Sequence, residues 1–303
     1  MTTKILLCCL LGLIATPATR AQSRSSQDWA ATFYAHFQVT SDIVYRTTPQ
    51  GPQTLDVYHR KGAPRPGPTL FFIHGGGWVW GSKIEVMGNI LPWLEMGWNV
   101  VSVNYRVAKE APAPAALEDC LAALHWVADN AGKYGLDAGC LVISGASAGG
   151  ELALVVGMAP ADAGLYPGAA SGPLPRPVAI VNFCGVVDVA DLLAGPHRQW
   201  FAATWIGHPR DPTALARRLS PVTYVRPGLP PILSIQGDND PIVPYGVTVR
   251  FHEALTKAGV PNQLLTIPGG THGGFSAEQY LLIDRTLRDF LARHGLAQPD
   301  WQH

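Results

Sequence analysis

The sequence has few charged residues, and neither sign of charge is in excess. Charged side chains make up 15% of the 303 residues, with 22 basic against 22 acidic. No basic stripe or acidic tail is present, so nucleic acid is not an expected partner. With so few charges and 47% apolar residues, the chain can bury a large core, which excludes an intrinsically disordered protein. No internal repeat or linker divides it.

Cysteine is also scarce, with five residues in the chain. Cys8 and Cys9 lie in an apolar N-terminal run, and Cys120, Cys140 and Cys184 are spread over the rest. Cys120 falls early in a predicted helix and Cys140 opens the following strand. At 1.5 Å per helical residue they lie roughly 15 Å apart, which is beyond disulfide reach. We expect three buried thiols. The sequence contains no His-Glu-x-x-His motif and no Cys/His cluster, so no metal is expected, and no cofactor either.

A short apolar run near the N-terminus predicts a signal peptide. Lys4 supplies positive charge, residues 5–15 are apolar, and the small residues Thr19 and Ala21 stand where a signal peptidase reads the chain. The run is too short to span a bilayer, and its abrupt end disfavours the alternative of a buried N-terminal helix. We therefore expect residues 1–21 to be removed. Residues 22–303 would form one exported domain, secreted or periplasmic, without membrane association.

Short apolar runs and helical repeats alternate along the chain, which predicts an α/β fold. Several runs are continuous in Val, Ile, Leu and Phe, as suits strands covered on both faces. This order predicts one mostly parallel, eight-stranded sheet with helices on both faces, and a site beyond the carboxyl ends of the strands. The predicted strands are 43–46, 54–60, 69–74, 99–104, 140–145, 177–184, 230–236 and 262–267, and the predicted helices are 115–131, 148–158, 244–258 and 276–294.

Residues 145–149 (Gly-Ala-Ser-Ala-Gly) carry the strongest functional signal. They follow an apolar strand and precede a helical segment, which is the context of a nucleophile elbow. The two glycines allow strand and helix to pack closely around a strained turn, which exposes the hydroxyl of Ser147 at the positive end of the helix. Ser147 is therefore the predicted nucleophile, rather than part of a Gly-rich structural turn.

Residues 74–78 (His-Gly-Gly-Gly-Trp) form a second, independent motif after a buried strand. Three glycines let backbone N–H groups approach a substrate without interference from side chains. Such a loop donates to the oxyanion of a tetrahedral intermediate in lipases and esterases. The alternative is a phosphate-binding loop, but no lysine followed by serine or threonine stands where a P-loop requires it.

A serine nucleophile needs a base and an acid, which follow it along the chain in this fold. His272 comes just after the last predicted strand, whereas His252 falls within a predicted helix, where a solvated face is expected. Asp238 and Asp240 both follow the preceding strand, and spacing alone leaves the choice between them open. The imidazole would take the proton of Ser147 and return it to the leaving alcohol.

These motifs resemble those of the α/β-hydrolase serine esterases with an HGGGW oxyanion loop. This branch includes the bacterial promiscuous feruloyl and acetyl esterases and is related to the hormone-sensitive-lipase-like esterases. The resemblance covers about residues 55–290. It implies Asp240 as the acid and backbone donors from Gly76, Gly77 and Ala148. Glu151 departs from the family, which often has His there, and is expected to change the pocket floor rather than the chemistry.

Residues 186–229 lack a clear core strand and are predicted to form a short cap over the site. Tryptophans in this segment and beside the oxyanion loop are candidates for the pocket wall, with the buried face of a cap helix as the alternative. These candidates are Trp78, Trp80, Trp200 and Trp205. The short cap favours small soluble esters over long-chain fats.

The expected function is a secreted serine carboxylesterase that hydrolyses small or short-chain esters through an acyl-enzyme. Acetyl or feruloyl esters of plant polysaccharide are one hypothesis for the substrate. The alternatives are a secreted serine peptidase of the same fold and a catalytically silent binding protein. Intact Ser147, Asp240 and His272 disfavour the silent protein. The expected partner is a small-molecule ester, and the sequence leaves the oligomeric state open.

Overall fold

The computed structural model describes residues 26–165 and 174–296. The predicted signal peptide, residues 1–21, lies outside this part of the chain. Eight strands form one sheet in the order β1-β2-β4-β3-β5-β6-β7-β8. Their bounds are β1 Phe37–Thr48, β2 Gly51–Arg60, β3 Gly67–Ile73, β4 Asn99–Val103, β5 Leu136–Ala146, β6 Ala179–Phe183, β7 Ile232–Gly237 and β8 Asn262–Ile267.

The sheet is mostly parallel, as predicted. Strand β2 pairs antiparallel with β1 and β4, and every other pairing is parallel. Each predicted strand is present. β1 is much longer than its predicted four residues because its outer part is an exposed hairpin strand with little apolar signal. Parallel strands end at the same edge, so β3, β5, β7 and β8 deliver the loops that follow them to one place.

The helices are α1 Ser26–His36, α2 Met87–Glu95, α3 Ala115–Tyr134, α4 Ala148–Met158, α5 Trp200–Ile206, α6 Pro212–Arg218, α7 Tyr245–Lys257 and α8 Ala277–Arg293. The four predicted helices correspond to α3, α4, α7 and α8. The short α2 was not predicted, and Pro92 lies inside it, which weakens any helical signal. Helix α3 ends at Gly135, whose φ of 64° suits glycine. A capping box between Ser276 and Gln279 begins α8.

Two apolar layers cover the sheet. Along β3, Phe71 and Ile73 pack on one face with residues of α3 and α4, while Leu70 and Phe72 pack on the other with residues of α2 and α8. Helix α7 extends the first layer over β7. In the described chain no helix combines the length and the apolar character needed to cross a membrane.

The position of His252 differs from the expectation based on the sequence. We expected it on a solvated face of its helix, but it is only 6% exposed. Its Nδ1 pairs with Oδ1 of Asn262 at 2.8 Å, so it joins α7 to the start of β8. Burial lowers its pKa, and a neutral ring fits this contact.

Candidate active site

The turn after β5 has the geometry of a nucleophile elbow. Ser147 has φ 54° and ψ −119°, a backbone conformation that is strained for a residue other than glycine. Its N–H donates to the carbonyl of Phe183 at 2.8 Å. A Cβ on Gly145 would overlap the backbone of Gly149, and a Cβ on Gly149 would overlap the carbonyl of Ile73. Both glycines are therefore required for the close approach of β5, α4 and β3.

Ser147, His272 and Asp240 form one hydrogen-bonded chain. The Nε2 atom of His272 lies 2.8 Å from Oγ of Ser147, and its Nδ1 lies 2.8 Å from Oδ2 of Asp240. The Asp240 side chain is fully buried, while that of His272 is 24% exposed. With Nδ1 protonated and donating to Asp240, Nε2 is free to accept the serine proton. The arrangement can therefore convert the hydroxyl into a nucleophile.

The structure shows which of Asp238 and Asp240 contacts the base, a choice that the sequence spacing leaves open. Oδ1 of Asp240 accepts from the backbone N–H groups of Ile242 and Val243 at 2.8 and 3.0 Å, which orients its other oxygen toward His272. Asp238 instead accepts from the N–H of Gly269 at 2.7 Å. Asp238 thus ties together the loops that carry the acid and the base, and Asp240 contacts the imidazole.

The glycine loop after β3 packs directly against the elbow. A Cβ on Gly75 would lie 2.8 Å from the carbonyl oxygen of Ala146 and 3.4 Å from Cβ of Ser147. Gly76 and Gly77 have φ of 112° and 57°, values that glycine adopts freely. Within the described residues, the N–H groups of Gly76, Gly77 and Ala148 donate no hydrogen bond. Unpaired donors beside a serine hydroxyl can stabilise an oxyanion.

His74 supports this loop from below, a role that the motif alone did not reveal. His74 is 3% exposed, and its ring stacks on Tyr105, with centroids 4.2 Å apart and planes within 10°. Nδ1 of His74 donates to the carbonyl of Gly75 at 2.7 Å, and the hydroxyl of Tyr105 donates to the carbonyl of His74 at 3.1 Å. Burial lowers the pKa of His74 to about 4, so the ring is neutral and carries no charge into the site.

The four tryptophans proposed for the pocket wall divide into two pairs. Trp78 and Trp205 are both 0% exposed and stack with centroids 4.2 Å apart. The prediction that these two line the pocket is wrong, because they bury each other between the oxyanion loop and the cap segment. Trp80 and Trp200 are 57% and 61% exposed, and their ring centroids lie 5.9 Å apart. This second pair is available to a ligand.

A cavity of about 110 Å³ opens beside the elbow. It lies on the α2 side of the sheet and shares Gly75 and Gly76 with the oxyanion loop and Ala146 with the elbow. Trp80 borders it. The cavity therefore adjoins the oxyanion loop and the elbow, while its lining includes neither Ser147 nor His272.

The segment predicted as a cap, residues 186–229, contains α5, α6 and two 3₁₀ helices, Gly195–His197 and Pro221–Tyr224. Phe201 of α5 lies against Gly77, where an added Cβ would meet its ring at 3.1 Å. The carbonyl of Trp205 accepts from the N–H of Ala113 at 2.8 Å. Helix α5 therefore buttresses the oxyanion loop.

Cys184 lies beside the catalytic candidates. Its sulfur, an oxygen of Asp240 and a ring nitrogen of His272 all lie within 4.8 Å of one another. These atoms do not suit a metal, since Asp240 is already hydrogen-bonded through both oxygens and burial raises the pKa of the Cys184 thiol to about 12. The three described cysteines are free. Cys120 and Cys184 are buried as expected, but Cys140 is half-buried because its end of β5 lies near the surface.

Glu151 does not form the floor of the open cavity. It is 0% exposed and lies beneath the oxyanion loop, where its Oε2 accepts from Nε1 of Trp78 at 2.9 Å. Burial raises its pKa well above the usual range of a carboxyl. Its position on α4 could be predicted from the sequence, but its contact with Trp78 could not.

Comparison with known families identifies the group to which this site belongs. A profile of the BD-FAE family matches residues 55–255, which is more than half of the chain. The chain belongs to the BD-FAE family. The matched residues include the oxyanion loop, Ser147 and Asp240, and they stop short of His272.

Relatives of this BD-FAE protein are named esterases. It is 31% identical to Esterase LipQ of Mycobacterium tuberculosis (strain ATCC 25618 / H37Rv) over 231 residues, 73% of this chain and 53% of LipQ. It is 32% identical to Esterase LipC of the same strain, over 73% of this chain and 57% of LipC. The chain spans about half the length of these curated relatives.

A solved structure with the same architecture is a truncated form of a carbohydrate esterase from gut microbiota. The TM-score is 0.72 at 26% identity, over 86% of this chain and 97% of that one. The BD-FAE protein therefore has the α/β-hydrolase fold, as the motifs predicted.

Proposed function

We propose that this BD-FAE protein is a serine carboxylesterase. The observation that carries the proposal is the hydrogen-bonded chain from Asp240 through His272 to Ser147, set beside unpaired N–H donors. Its family and the esterases among its relatives support the same activity. A catalytically silent binding protein would have no need to retain the strained Ser147 backbone, because such strain is costly and persists at functional sites.

The reaction proceeds through an acyl-enzyme. Oγ of Ser147 attacks the ester carbonyl while Nε2 of His272 takes the hydroxyl proton, and the carbonyl oxygen becomes an oxyanion held by the N–H groups of Gly76, Gly77 and Ala148. Collapse of the tetrahedral intermediate breaks the C–O bond, and His272 gives its proton to the leaving alcohol. Water then repeats the sequence, releasing the carboxylic acid and restoring Ser147. The buried carboxylate of Asp240 stabilises the imidazolium in both steps.

The substrates we propose are small or short-chain esters, with acetyl or feruloyl esters of plant polysaccharide as the natural class. The cavity beside the elbow is small, about 110 Å³, which favours a short acyl group. The exposed ring of Trp80 borders the cavity, and that of Trp200 lies beside Trp80. Both rings suit the flat face of a sugar or a feruloyl group. The structural relative named a carbohydrate esterase supports this substrate class.

Hydrolysis of p-nitrophenyl acetate, butyrate and octanoate, with Ser147→Ala in parallel, tests the activity. The acetate and butyrate should be hydrolysed faster than the octanoate, and the variant should lose about 10⁶-fold in kcat. Activity that survives Ser147→Ala would refute the proposed nucleophile, and cleavage of peptide p-nitroanilides in place of esters would favour the peptidase.

Release of acetate from acetylated xylan, or of ferulate from feruloylated arabinoxylan, tests the natural substrate class. No release from either polysaccharide would exclude it.

We also propose that the protein is exported, on the pattern of residues 1–21. Expression of the full chain in a bacterial host, followed by N-terminal sequencing of the exported product, tests this. A mature N-terminus near Gln22 outside the cytoplasm would support export. An intact N-terminus in the cytoplasm would refute it.

A further inference from the structure

Glu151 is a fully buried acidic side chain one helical turn after the nucleophile. It is 0% exposed, and its N–H donates to the carbonyl of Ser147 at 3.1 Å. Oε2 accepts from Nε1 of Trp78 at 2.9 Å, while Oε1 has no partner among the described residues. A burial of this kind is costly, and the reaction described above does not use the group.

The surroundings of Glu151 favour its neutral form over the carboxylate. The titratable groups that face it within the described chain are Tyr105 after β4, Cys120 of α3 and Tyr224 of the 3₁₀ helix. None of them is a cation. Burial raises the pKa of Glu151 far above that of a solvated carboxyl. Burial therefore favours the neutral carboxylic acid, whose Oε2 accepts the hydrogen bond from Trp78.

The other partner, Trp78, immediately follows the oxyanion glycines and is fixed by three contacts. Its φ is 61°, a left-handed conformation that a bulky residue keeps only where its surroundings enforce it. Its ring stacks on Trp205 with planes within 5°, its carbonyl accepts from the N–H of Ala108 at 2.8 Å, and its indole N–H is bound by Glu151. Of these contacts, the one with Glu151 reaches the helix that carries Ser147.

We infer that Glu151 is a positioning residue for the oxyanion hole. Gly76 and Gly77 lie on the loop after β3, whereas Ser147 and Ala148 lie at the start of α4. The hydrogen bond from Trp78 to Glu151 connects the loop to α4. Together with the close packing of Gly75 and Gly149, it sets the distance between the loop donors and the N–H of Ala148. A displacement of about 1 Å between them would misplace the oxyanion. The inference rests on the proposed esterase activity.

The test compares Glu151→Met, which removes the acceptor but keeps an unbranched side chain, with Glu151→Gln, which keeps a neutral carbonyl acceptor. Thr248→Val is the control, because Thr248 is another fully buried helical residue with an unpartnered side-chain oxygen, on α7. In Glu151→Met, kcat for p-nitrophenyl butyrate should fall about 10- to 100-fold, somewhat less than the loss of a whole donor. KM should change little. Glu151→Gln should restore most of kcat, and Thr248→Val should match the wild type.

A second readout separates positioning from a merely structural role. A short-chain trifluoromethyl ketone adds to Ser147 and places an oxyanion in the hole, so its affinity reports the geometry of the donors. Its inhibition constant should rise in Glu151→Met by the same factor as kcat falls. Folded Glu151→Met with unchanged kcat and inhibition constant would overturn the inference, as would an equal loss in Glu151→Gln.

If Glu151→Met does not fold, Trp78→Phe tests the inference instead, because it removes the indole N–H that donates to Glu151. It should lower kcat and inhibitor affinity together, and unchanged values would overturn the inference. The wild type and Ser147→Ala are measured in the same series. No turnover by the wild type refutes the esterase itself, while wild-type turnover that is indifferent to Glu151 refutes only the positioning role.

Discussion

Asp240 accepts a hydrogen bond from Nδ1 of His272, which lies 2.8 Å from its Oδ2. Nε2 of Gln236 lies 3.4 Å from the same oxygen, and the N–H groups of Ile242 and Val243 lie 2.8 and 3.0 Å from Oδ1. This pattern suits an ionised carboxylate. It also holds the carboxylate so that only one oxygen faces the imidazole. The orientation of His272 therefore depends on the short turn that follows β7.

Asp240→Asn should abolish most of the activity without unfolding the protein. The amide can present an N–H to His272, which favours the tautomer that is unable to accept the proton of Ser147, and kcat should fall about 10⁴-fold. Ester hydrolysis by the purified variant measures this. Asp238→Asn is the matched control, because an Asn oxygen can still accept from Gly269. Its activity should stay close to wild type, and a larger loss at Asp238 than at Asp240 would contradict the assignment.

Gly76→Ala should damage the oxyanion hole. The new Cβ would run into the backbone of Trp80, and the φ of 112° is strained for alanine. The loop must move, and loss of one donor lowers kcat about 10²- to 10³-fold. Gly132→Ala is the control: Gly132 lies in α3, and nothing stands near the new Cβ. It should raise stability by up to about 1 kcal/mol, seen as a higher Tm, with unchanged kcat. Wild-type kcat in Gly76→Ala would rule out this donor.

The parts of the site that could be predicted from the sequence are those that local chain geometry determines. The elbow around Ser147 needs glycines at fixed positions between a strand and a helix, so a five-residue pattern identifies it. His272 follows a strand end, and parallel strands bring their ends together. The choice of Asp240 needed the family resemblance, because both aspartates sit on the same turn and only the direction of the side chains separates them.

The contacts between distant segments could not be predicted. Glu151 and Trp78 are 73 residues apart in the chain, and nothing in either local pattern shows that they meet. Trp205 and Trp200 lie on the same short helix, yet one is buried and the other exposed, because the packing of α5 on the oxyanion loop decides between them. The burial of His252 has the same kind of cause, because its partner, Asn262, is on the next element.

Stability should depend on pH through Glu151. Its pKa is ordinary, about 4.5, in the unfolded chain and raised in the folded protein by burial. Below about pH 4.5 both states are protonated and the full stability is present. At higher pH the unfolded chain loses the proton and the folded protein keeps it, so stability falls by up to about 1.4 kcal/mol per pH unit until the folded pKa is reached.

Glu151→Gln removes this linkage, since the amide does not titrate. The stability of the variant relative to the wild type should therefore rise with pH above about 4.5. Urea unfolding of both proteins at several pH values measures the difference in their free energies of unfolding. The contributions of the other titrating groups are the same in both proteins and cancel in this difference. A difference that is independent of pH would mean that Glu151 is ionised in the folded protein, and so would contradict the neutral acid inferred here.

Trp200→Ala should discriminate between substrates. Trp200 is 61% exposed and stands beside Trp80 near the cavity, so its removal takes away ring surface without opening the core. An aromatic contact contributes about 0.5–1.5 kcal/mol, and the loss should raise KM for feruloylated oligosaccharides about 2- to 10-fold. The smaller p-nitrophenyl acetate should be affected less. Tyr34→Ala, which removes an exposed aromatic ring on α1, is the control and should leave both KM values unchanged. Equal effects of Trp200→Ala on the two substrates would exclude the ring as a platform for the sugar or feruloyl group.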